Sequence, residues 1–140
     1  RIGPKPISQA PVQEWVDTTS PSLDDLPIPT CWPLDGGPYI TLPLVLTHDP
    51  VTKKRNVGLY RLQKFDSRTL GMHWQLHKGG AEHWRRNDEQ SRRMEVAIAI
   101  GADPTLMYAA SAPLPPSAAN SSGKPIRPPP WKIKSARSRS

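Results

Sequence analysis

The chain has 140 residues, a length that suits one domain with a sizeable core and excludes two. Its 19 Lys and Arg against 12 Asp and Glu give a net charge of +7, which by itself favours an anionic partner such as nucleic acid or a membrane surface. The single cysteine, Cys31, excludes an internal disulfide and a cysteine-based zinc cluster, and predicts a reducing, cytoplasmic compartment. No apolar run approaches ~20 residues, so no membrane span is predicted.

The excess charge and the proline are concentrated toward the ends of the chain. Residues 117–140 contain six basic side chains and no acid, whereas residues 1–116 carry 13 basic and 12 acidic side chains. Of 18 prolines, ten precede residue 51 and seven lie from Pro113 onward. We therefore predict an extended N-terminal segment (1–38), a compact domain (39–116) and a basic, Pro/Ser-rich tail (117–140) that should be disordered.

The compact part begins with three predicted β-strands, at residues 39–47, 56–65 and 69–75. The first is rich in β-branched and aliphatic residues, although Pro43 restricts it to a sheet edge or a bulge. Turn sequences at 49–54 and 66–68 separate the strands, so the sequence predicts a meander.

Helical and strand signals alternate in the rest of the domain. Gly79 and Gly80 interrupt the strand pattern, and residues 81–93 are rich in helix formers, which predicts a surface helix. Residues 94–100 (MEVAIAI) are almost continuously apolar, as expected of a strand buried on both faces. Asp103 before Pro104 predicts an N-cap and a short helix to about residue 110. The order βββαβα predicts an α+β domain.

Four histidines are the first candidates for chemistry. His73 and His77 would share one face of the third strand if that strand continued, so their imidazoles could converge. A lone strand histidine is more often a hydrogen-bonded structural residue than a ligand, and we expect His48 and His83 to be solvated.

Asn56 and Arg61 place an amide oxygen and a guanidinium on one predicted strand. They are ~16 Å apart along an ideal strand and on opposite faces, so one site would need Asn56 at the start of the strand or a bulge between them. The spacing alone favours a simpler interpretation, in which Asn56 closes a hairpin and Arg61 is a surface charge.

Four segments taken together resemble the UbiD-type decarboxylases, the 3-polyprenyl-4-hydroxybenzoate carboxy-lyase family. They follow one another over residues 22–116 at compatible spacing: LPIPTCWPLDGGPYIT (26–41), HDPVTKKRNVGLYRLQ (48–63), GMHWQLHKGGA (71–81) and AIAIGADPTLMYAASAPLPP (97–116). The resemblance implies the central, flavin-binding portion of such an enzyme, with a split β-barrel fold. It also implies non-oxidative decarboxylation of aromatic or α,β-unsaturated acids on prenylated FMN, with Mn²⁺ and K⁺, in pathways such as ubiquinone or menaquinone biosynthesis.

The resemblance also implies roles for individual residues of this chain. Asn56 and His77 correspond to metal ligands, and His77 also to the cofactor site. Arg61 corresponds to the catalytic arginine that holds the substrate carboxylate, and also to the cofactor site. Further cofactor-binding positions are Val57, Ser111 and Pro113. An amide oxygen and an imidazole suit a divalent ion that a phosphate also binds, and a guanidinium suits a planar carboxylate.

The tail departs from the family pattern, which continues with an acidic stretch that supplies a metal-binding glutamate and then acid-base glutamates. Residues 117–140 contain no Asp or Glu, and the chain starts at Arg1 and not at Met. We interpret the chain as a truncated or frameshifted fragment that is inactive alone, whereas the complete enzyme would be a homo-oligomer acting on a small aromatic carboxylate.

Two alternatives to an enzyme fragment stay open at this point. The first is a non-catalytic module that binds flavin without turnover. The second is nucleic-acid binding through the basic tail, which is less favoured because a run of charges is usually solvated.

Overall fold

A computed structural model describes residues 7–112 of the chain. Within them, strands and helices follow one another as β1 (Tyr39–Ile40), β2 (Leu44–His48), β3 (Arg55–Leu59), β4 (Leu62–Lys64), β5 (Leu70–Met72), α1 (Gly79–Glu89), β6 (Val96–Ala99) and α2 (Pro104–Ser111). The mixture of helix and antiparallel sheet confirms the predicted α+β class. The predicted tail and Pro113 lie outside the described residues.

The first two predicted strands form one long hairpin that is shared between two sheets. β2 pairs antiparallel with β3, and β1 pairs antiparallel with β4, with residues 41–43 and 60–61 between the paired parts. The strand orders are β1-β4-β5 and β3-β2-β6. Pro43 lies between β1 and β2, where its missing N–H breaks no strand ladder, and β2 is therefore a central strand. Neither sheet is closed within residues 7–112, so the split barrel stays a prediction.

The turn that closes this hairpin is built on Asp49, as the sequence predicts. Oδ1 of Asp49 accepts hydrogen bonds from the backbone amides of Val51 (2.8 Å) and Thr52 (2.9 Å). Lys53 completes the reversal at φ 58°, in the left-handed region that most side chains avoid. The hairpin therefore depends on a local side-chain network.

In the second half of the domain the expectation of a strand buried on both faces is wrong, whereas the first predicted helix is confirmed with shifted bounds. β6 is an edge strand that pairs only with β2, and all four of its residues are half-buried and not enclosed on both faces. The first helix begins at Gly79, two residues before the predicted start, and ends at Glu89. The second helix is confirmed, since Oδ1 of Asp103 accepts from the amide of Thr105 at 2.8 Å and Pro104 is its first residue.

The core lies where the two sheets meet beneath α1. Val45 of β2 and Leu62 of β4 are fully buried, one from each sheet. They are joined by the buried apolar residues Ile40, Leu44, Tyr60 and Ala81. Complete burial of a large apolar side chain stabilises the fold by about 1.5–3 kcal/mol, so this small set holds the two sheets together.

The described part of the N-terminal segment contains short 3₁₀ turns at Pro11–Gln13 and Leu23–Asp25, and the second of these turns contacts Lys64 at the end of β4. Nζ of Lys64 donates to the carbonyl of Leu23 (3.1 Å) and to Asp24 (2.6 Å). The amide of Leu23 in turn donates to the carbonyl of Ser67 at 2.8 Å. Among the helices of residues 7–112, none has the length and apolar character needed to cross a membrane.

Candidate functional site

Arg61 lies at the point where the long hairpin passes from one sheet to the other. It follows the end of β3 by two residues and directly precedes β4, and its side chain is exposed. Its guanidinium carbon is 5.0 Å from the centre of the Tyr39 ring, a cation–π distance. The arginine is therefore held from one side while its donors remain accessible.

Two open clefts adjoin Arg61, and both are lined by Arg61 and His73. The larger, of about 330 Å³, is completed by Leu59, Tyr60, Gln75 and Lys78. The smaller, of about 190 Å³, is completed by Tyr39, Gln63, Phe65, Gly71 and Met72. The size and mixed lining of the larger cleft suit a small organic anion, because Arg61 and Lys78 both contribute positive charge to it.

Asn56 is connected to α1 through the hydroxyl of Tyr60. Nδ2 of Asn56 donates to Oη of Tyr60 at 3.3 Å, and the backbone amide of Gly80 donates to the same oxygen at 2.9 Å. Asn56 lies near the start of β3, opposite Thr47. Because β3 ends at Leu59, the alternation of an ideal strand does not extend to Arg61, and the expectation of opposite faces for Asn56 and Arg61 does not apply.

Glycines at the start of α1 allow this close approach. A Cβ at Gly79 would lie 2.6 Å from Oδ1 of Asn56, and a Cβ at Gly80 would lie 2.8 Å from Oη of Tyr60 and would also collide with the Trp74 ring. The first turn of α1 therefore contacts the Asn56 and Tyr60 side chains with bare backbone.

Three further predicted site residues, His77, Val57 and Ser111, lie within residues 7–112. His77 is exposed in the turn before α1, two residues ahead of Gly79, whose backbone touches Asn56. Val57 is half-buried in β3 beside Asn56, and α2, which ends at Ser111, packs on that strand. Oγ of Ser111 donates to the carbonyl of Tyr108 at 2.7 Å. His73 and His77 do not share a strand face, because β5 ends at Met72.

The donors near α1 suit a divalent metal in kind but not in number. Asn56 offers an amide oxygen and His77 an imidazole, and both are ligands that Mn²⁺ accepts. Within residues 7–112, however, no three His, Cys, Asp or Glu side chains group closely enough to hold a metal ion. A metal at this place would need further ligands from outside the described residues, such as a phosphate or a carboxylate.

A buried polar cluster attaches α1 to β2, and it corrects the expectation that His83 is solvated. His83 is only 7% exposed, and its Nδ1 lies 2.9 Å from Oγ1 of Thr47, which is fully buried. Asn87 donates to the carbonyl of His83 at 2.8 Å, and Arg86 forms an ion pair with the buried Asp49. His48, by contrast, is exposed as predicted.

Burial and charge set the ionisation of this cluster. Burial is the main cause that lowers the pKa of His83, against the opposing attraction of Asp49. Burial alone would raise the pKa of Asp49, but hydrogen bonds from Thr52 and Val51 and the charge of Arg86 outweigh it and lower that pKa to about 2. His83 is therefore neutral and Asp49 ionised at neutral pH.

Sequence reasoning missed Tyr60 and the contact role of the two glycines. Tyr60 is 3% exposed and contacts Trp74, with ring centres 5.0 Å apart and planes at 64°. A double glycine next to a helix pattern was the available signal, because it can mark close backbone approach as well as a break.

Comparison with known proteins agrees with this architecture. The family model described as "3-octaprenyl-4-hydroxybenzoate carboxy-lyase Rift-related domain" matches residues 5–122, beyond both ends of the 22–116 resemblance. An uncharacterized protein of Archaeoglobus fulgidus is 53% identical over 113 residues, which are 80% of this chain and 23% of that protein. A 4-hydroxybenzoate decarboxylase subunit from Chlamydia pneumoniae is 41% identical over 101 residues, 72% of this chain and 17% of that protein.

Solved structures give the same result. The UbiD-class enzyme HmfF from Pelotomaculum thermopropionicum in complex with FMN superposes with a TM-score of 0.62 at 31% identity, over 69% of this chain and 22% of that one. An evolved dimeric form of HmfF in complex with prFMN superposes with a TM-score of 0.56 at 34% identity, over 58% of this chain and 19% of that one. The chain thus spans about a fifth of these relatives, and it belongs to the UbiD carboxy-lyase family.

Proposed function

We propose that this chain supplies part of the active site of a prenylated-FMN-dependent, non-oxidative decarboxylase acting on aromatic or α,β-unsaturated acids. The observation that carries the proposal is Arg61, an exposed guanidinium supported by Tyr39 at the rim shared by two clefts. Family membership and the HmfF complexes with FMN and prFMN support a flavin as the cofactor.

Arg61 would bind the substrate carboxylate. A guanidinium offers two parallel N–H donors to a carboxylate, and the Tyr39 ring limits the directions in which Arg61 can point. When bound, prenylated FMN supplies the electron sink for loss of CO₂. The protein contribution from Arg61 is to orient the carboxylate, and the adjacent Lys78 adds positive charge to the larger cleft.

Asn56 and His77 would bind Mn²⁺ together with the cofactor phosphate, beside the first turn of α1. The contact of Asn56 with Gly79 supports this role, since it brings the amide oxygen to the segment that carries His77. Val57, Ser111 and Pro113 would form part of the cofactor and K⁺ surface, of which Pro113 lies outside the described residues. These donors do not complete a metal site, so further ligands are required.

The unit proposed to carry these residues is the domain 39–116, flanked by the 1–38 segment and the 117–140 tail. Its two open sheets would become a split barrel in a complete enzyme. A homo-oligomer is proposed for that enzyme, and the dimeric HmfF structure supports this assembly.

Substitution of Arg61 tests the proposal in a full-length family member that contains the segment Asn-Val-Gly-Leu-Tyr-Arg of residues 56–61. Arg61→Ala should abolish decarboxylation, and Arg61→Lys should restore little of it, because an ammonium cannot make the two-point contact. The melting temperature should stay unchanged in both variants, and flavin absorbance shows how much cofactor each variant retains. The matched control is Arg68→Ala, at an exposed arginine in the turn between β4 and β5. Retained decarboxylation in Arg61→Ala would refute the role of Arg61.

A non-catalytic flavin-binding module is the alternative that the same family membership leaves in place. To distinguish this module from part of a decarboxylase, the 140-residue chain is co-expressed with a prenyltransferase that makes the cofactor. The flavin absorbance and the turnover of the purified protein are then recorded. We expect weak flavin retention and no turnover, since the acid-base glutamates of the family are absent from residues 117–140. Turnover by this chain would contradict the proposed incompleteness of its site.

A further inference from the structure

The hydroxyl of Tyr60 has two donors directed at it from different parts of the chain. One is Nδ2 of Asn56, at 3.3 Å, and the other is the backbone amide of Gly80, at 2.9 Å. Tyr60 is 3% exposed, so these contacts are shielded from water. Toward both groups the hydroxyl oxygen acts as an acceptor, and the end of the Asn56 amide that faces it is therefore the NH₂ group.

The opposite end of the Asn56 amide faces the first residue of α1. Oδ1 of Asn56 lies so close to Gly79 that a Cβ there would be 2.6 Å away. The NH₂ group thus donates to Tyr60, and the oxygen lies against the segment that begins at His77. Only the oxygen end of an amide can bind a cation, so this orientation matters for a metal ligand.

The Tyr60 ring is fixed independently of its hydroxyl. It makes an edge contact with Trp74 at 5.0 Å between ring centres, and a Cβ at Gly58 would come within 2.7 Å of the ring. Nζ of Lys78 lies 5.6 Å from the ring centre. Removing only the hydroxyl should therefore leave the ring in place and change the polar contacts alone.

We propose that Tyr60 is a positioning residue: its hydroxyl orients the Asn56 amide so that Oδ1 is presented as a cation ligand beside the start of α1. The inference rests on the proposed metal-binding role of Asn56 and deepens it. Tyr60 itself touches no metal in this proposal. Groups that orient a metal ligand typically change metal affinity by about 10–100-fold when they are removed.

The test compares Tyr60→Phe in two backgrounds of a full-length family member that contains the segment of residues 56–61 and supplies the further metal ligands. Manganese chloride is titrated into the metal-free protein, and the electron paramagnetic resonance signal of unbound Mn²⁺ gives the affinity. In the unsubstituted background, Tyr60→Phe should weaken Mn²⁺ binding by about tenfold or more. In the Asn56→Asp background it should change the affinity by less than about twofold, because a carboxylate has two equivalent oxygens and needs no orientation.

The two backgrounds separate positioning from general structural support, since a merely structural loss would appear equally in both. Tyr108→Phe on α2, at a tyrosine 81% exposed, is the matched control and should leave the affinity unchanged. An unchanged affinity in Tyr60→Phe, while Asn56→Ala weakens binding, would overturn the inference and leave the metal role of Asn56 intact. No Mn²⁺ binding by the unsubstituted full-length protein, or no effect of Asn56→Ala, would overturn both.

A measurement on the unsubstituted chain covers the case in which Tyr60→Phe fails to fold. The Asn56 side-chain NH₂ protons should show nuclear Overhauser contacts to the Tyr60 ring, and the Gly80 amide should exchange slowly with solvent. Absence of the contact between Asn56 and Tyr60 would overturn the inference.

Discussion

Nδ1 of His83 lies 2.9 Å from Oγ1 of Thr47, and this buried contact joins α1 to the central strand β2. Thr47→Val keeps the shape of the side chain but leaves the imidazole nitrogen without that partner. We expect the free energy of unfolding to fall by about 1–3 kcal/mol, measured by urea denaturation. Thr30→Val, at an exposed threonine, should have little effect. Equal stability of the two variants would contradict a structural role for the contact.

Acid should destabilise the fold in two separate pH windows. His83 has a pKa lowered chiefly by burial, so the unfolded chain binds its proton first, and its contribution to stability is lost as pH falls below about 6.5. Asp49, with a pKa lowered to about 2, contributes above about 3.8 and loses that contribution as pH falls toward 2.

Melting curves followed by circular dichroism across pH 2–8 measure both windows. His83→Gln should reduce the loss of melting temperature below pH 6.5 only in part, because the pKa of His48, which is exposed overall, is also lowered by the partial burial of its ring and then by the charge of Arg55. His48→Gln is the control for that remainder. An unaltered slope below pH 6.5 in His83→Gln would count against the buried neutral imidazole.

Gly80→Ala should destabilise the fold even though alanine favours helix. The added Cβ would lie 2.8 Å from Oη of Tyr60 and would collide with the ring of Trp74. Overpacking of this kind costs about 1–3 kcal/mol, which exceeds the ~1 kcal/mol gained in helix propensity. Thermal unfolding checks the prediction, with Gly36→Ala as control, because its Cβ would meet only the ends of two side chains, Nε2 of Gln63 at 3.2 Å and Oη of Tyr39 at 3.4 Å. A Gly80→Ala variant as stable as the parent would mean that α1 can shift.

Loss of the Tyr39 ring should weaken carboxylate binding and have a smaller effect on the rate of the chemical step. The ring centre is 5.0 Å from the guanidinium carbon of Arg61, and an exposed cation–π contact is worth about 0.5–1 kcal/mol. In a full-length family member with both residues, Tyr39→Leu should raise KM about two- to fivefold with a smaller change in kcat, whereas Tyr39→Phe should leave both near their original values. Equal kinetics for Leu and Phe would exclude support of Arg61 by this ring.

Local chemistry made much of the fold predictable. Asp49 and Asp103 act through their own neighbouring amides, so the hairpin turn and the start of α2 follow from the sequence. The division of the hairpin into two sheets does not, because it depends on which distant strands pair with each half. β6 shows the same limit, since an apolar run does not reveal whether a second neighbouring strand will cover it.

The candidate site was only partly predictable for a related reason. Spacing counted along one strand placed Asn56 and Arg61 on opposite faces, whereas β3 ends before Arg61 is reached. His83 looked solvated in a charged helix sequence, but α1 packs on β2, and His83 and Asn87 of α1 are buried together with Thr47 of β2. Polar contacts between elements that are distant along the chain leave no periodic pattern in the sequence, so they cannot be predicted from it.

Because the hairpin passes from one sheet to the other, Asn56 and Arg61 are held by different parts of the fold. Asn56 is held by β3 and the start of α1, whereas Arg61 leads into β4 and rests on Tyr39 of β1. With the proposed role of Arg61, substitutions in the β1-β4-β5 sheet would change acid recognition while the proposed cation ligand stays in place. This separation would let one scaffold serve many carboxylic acids without rebuilding its cofactor end.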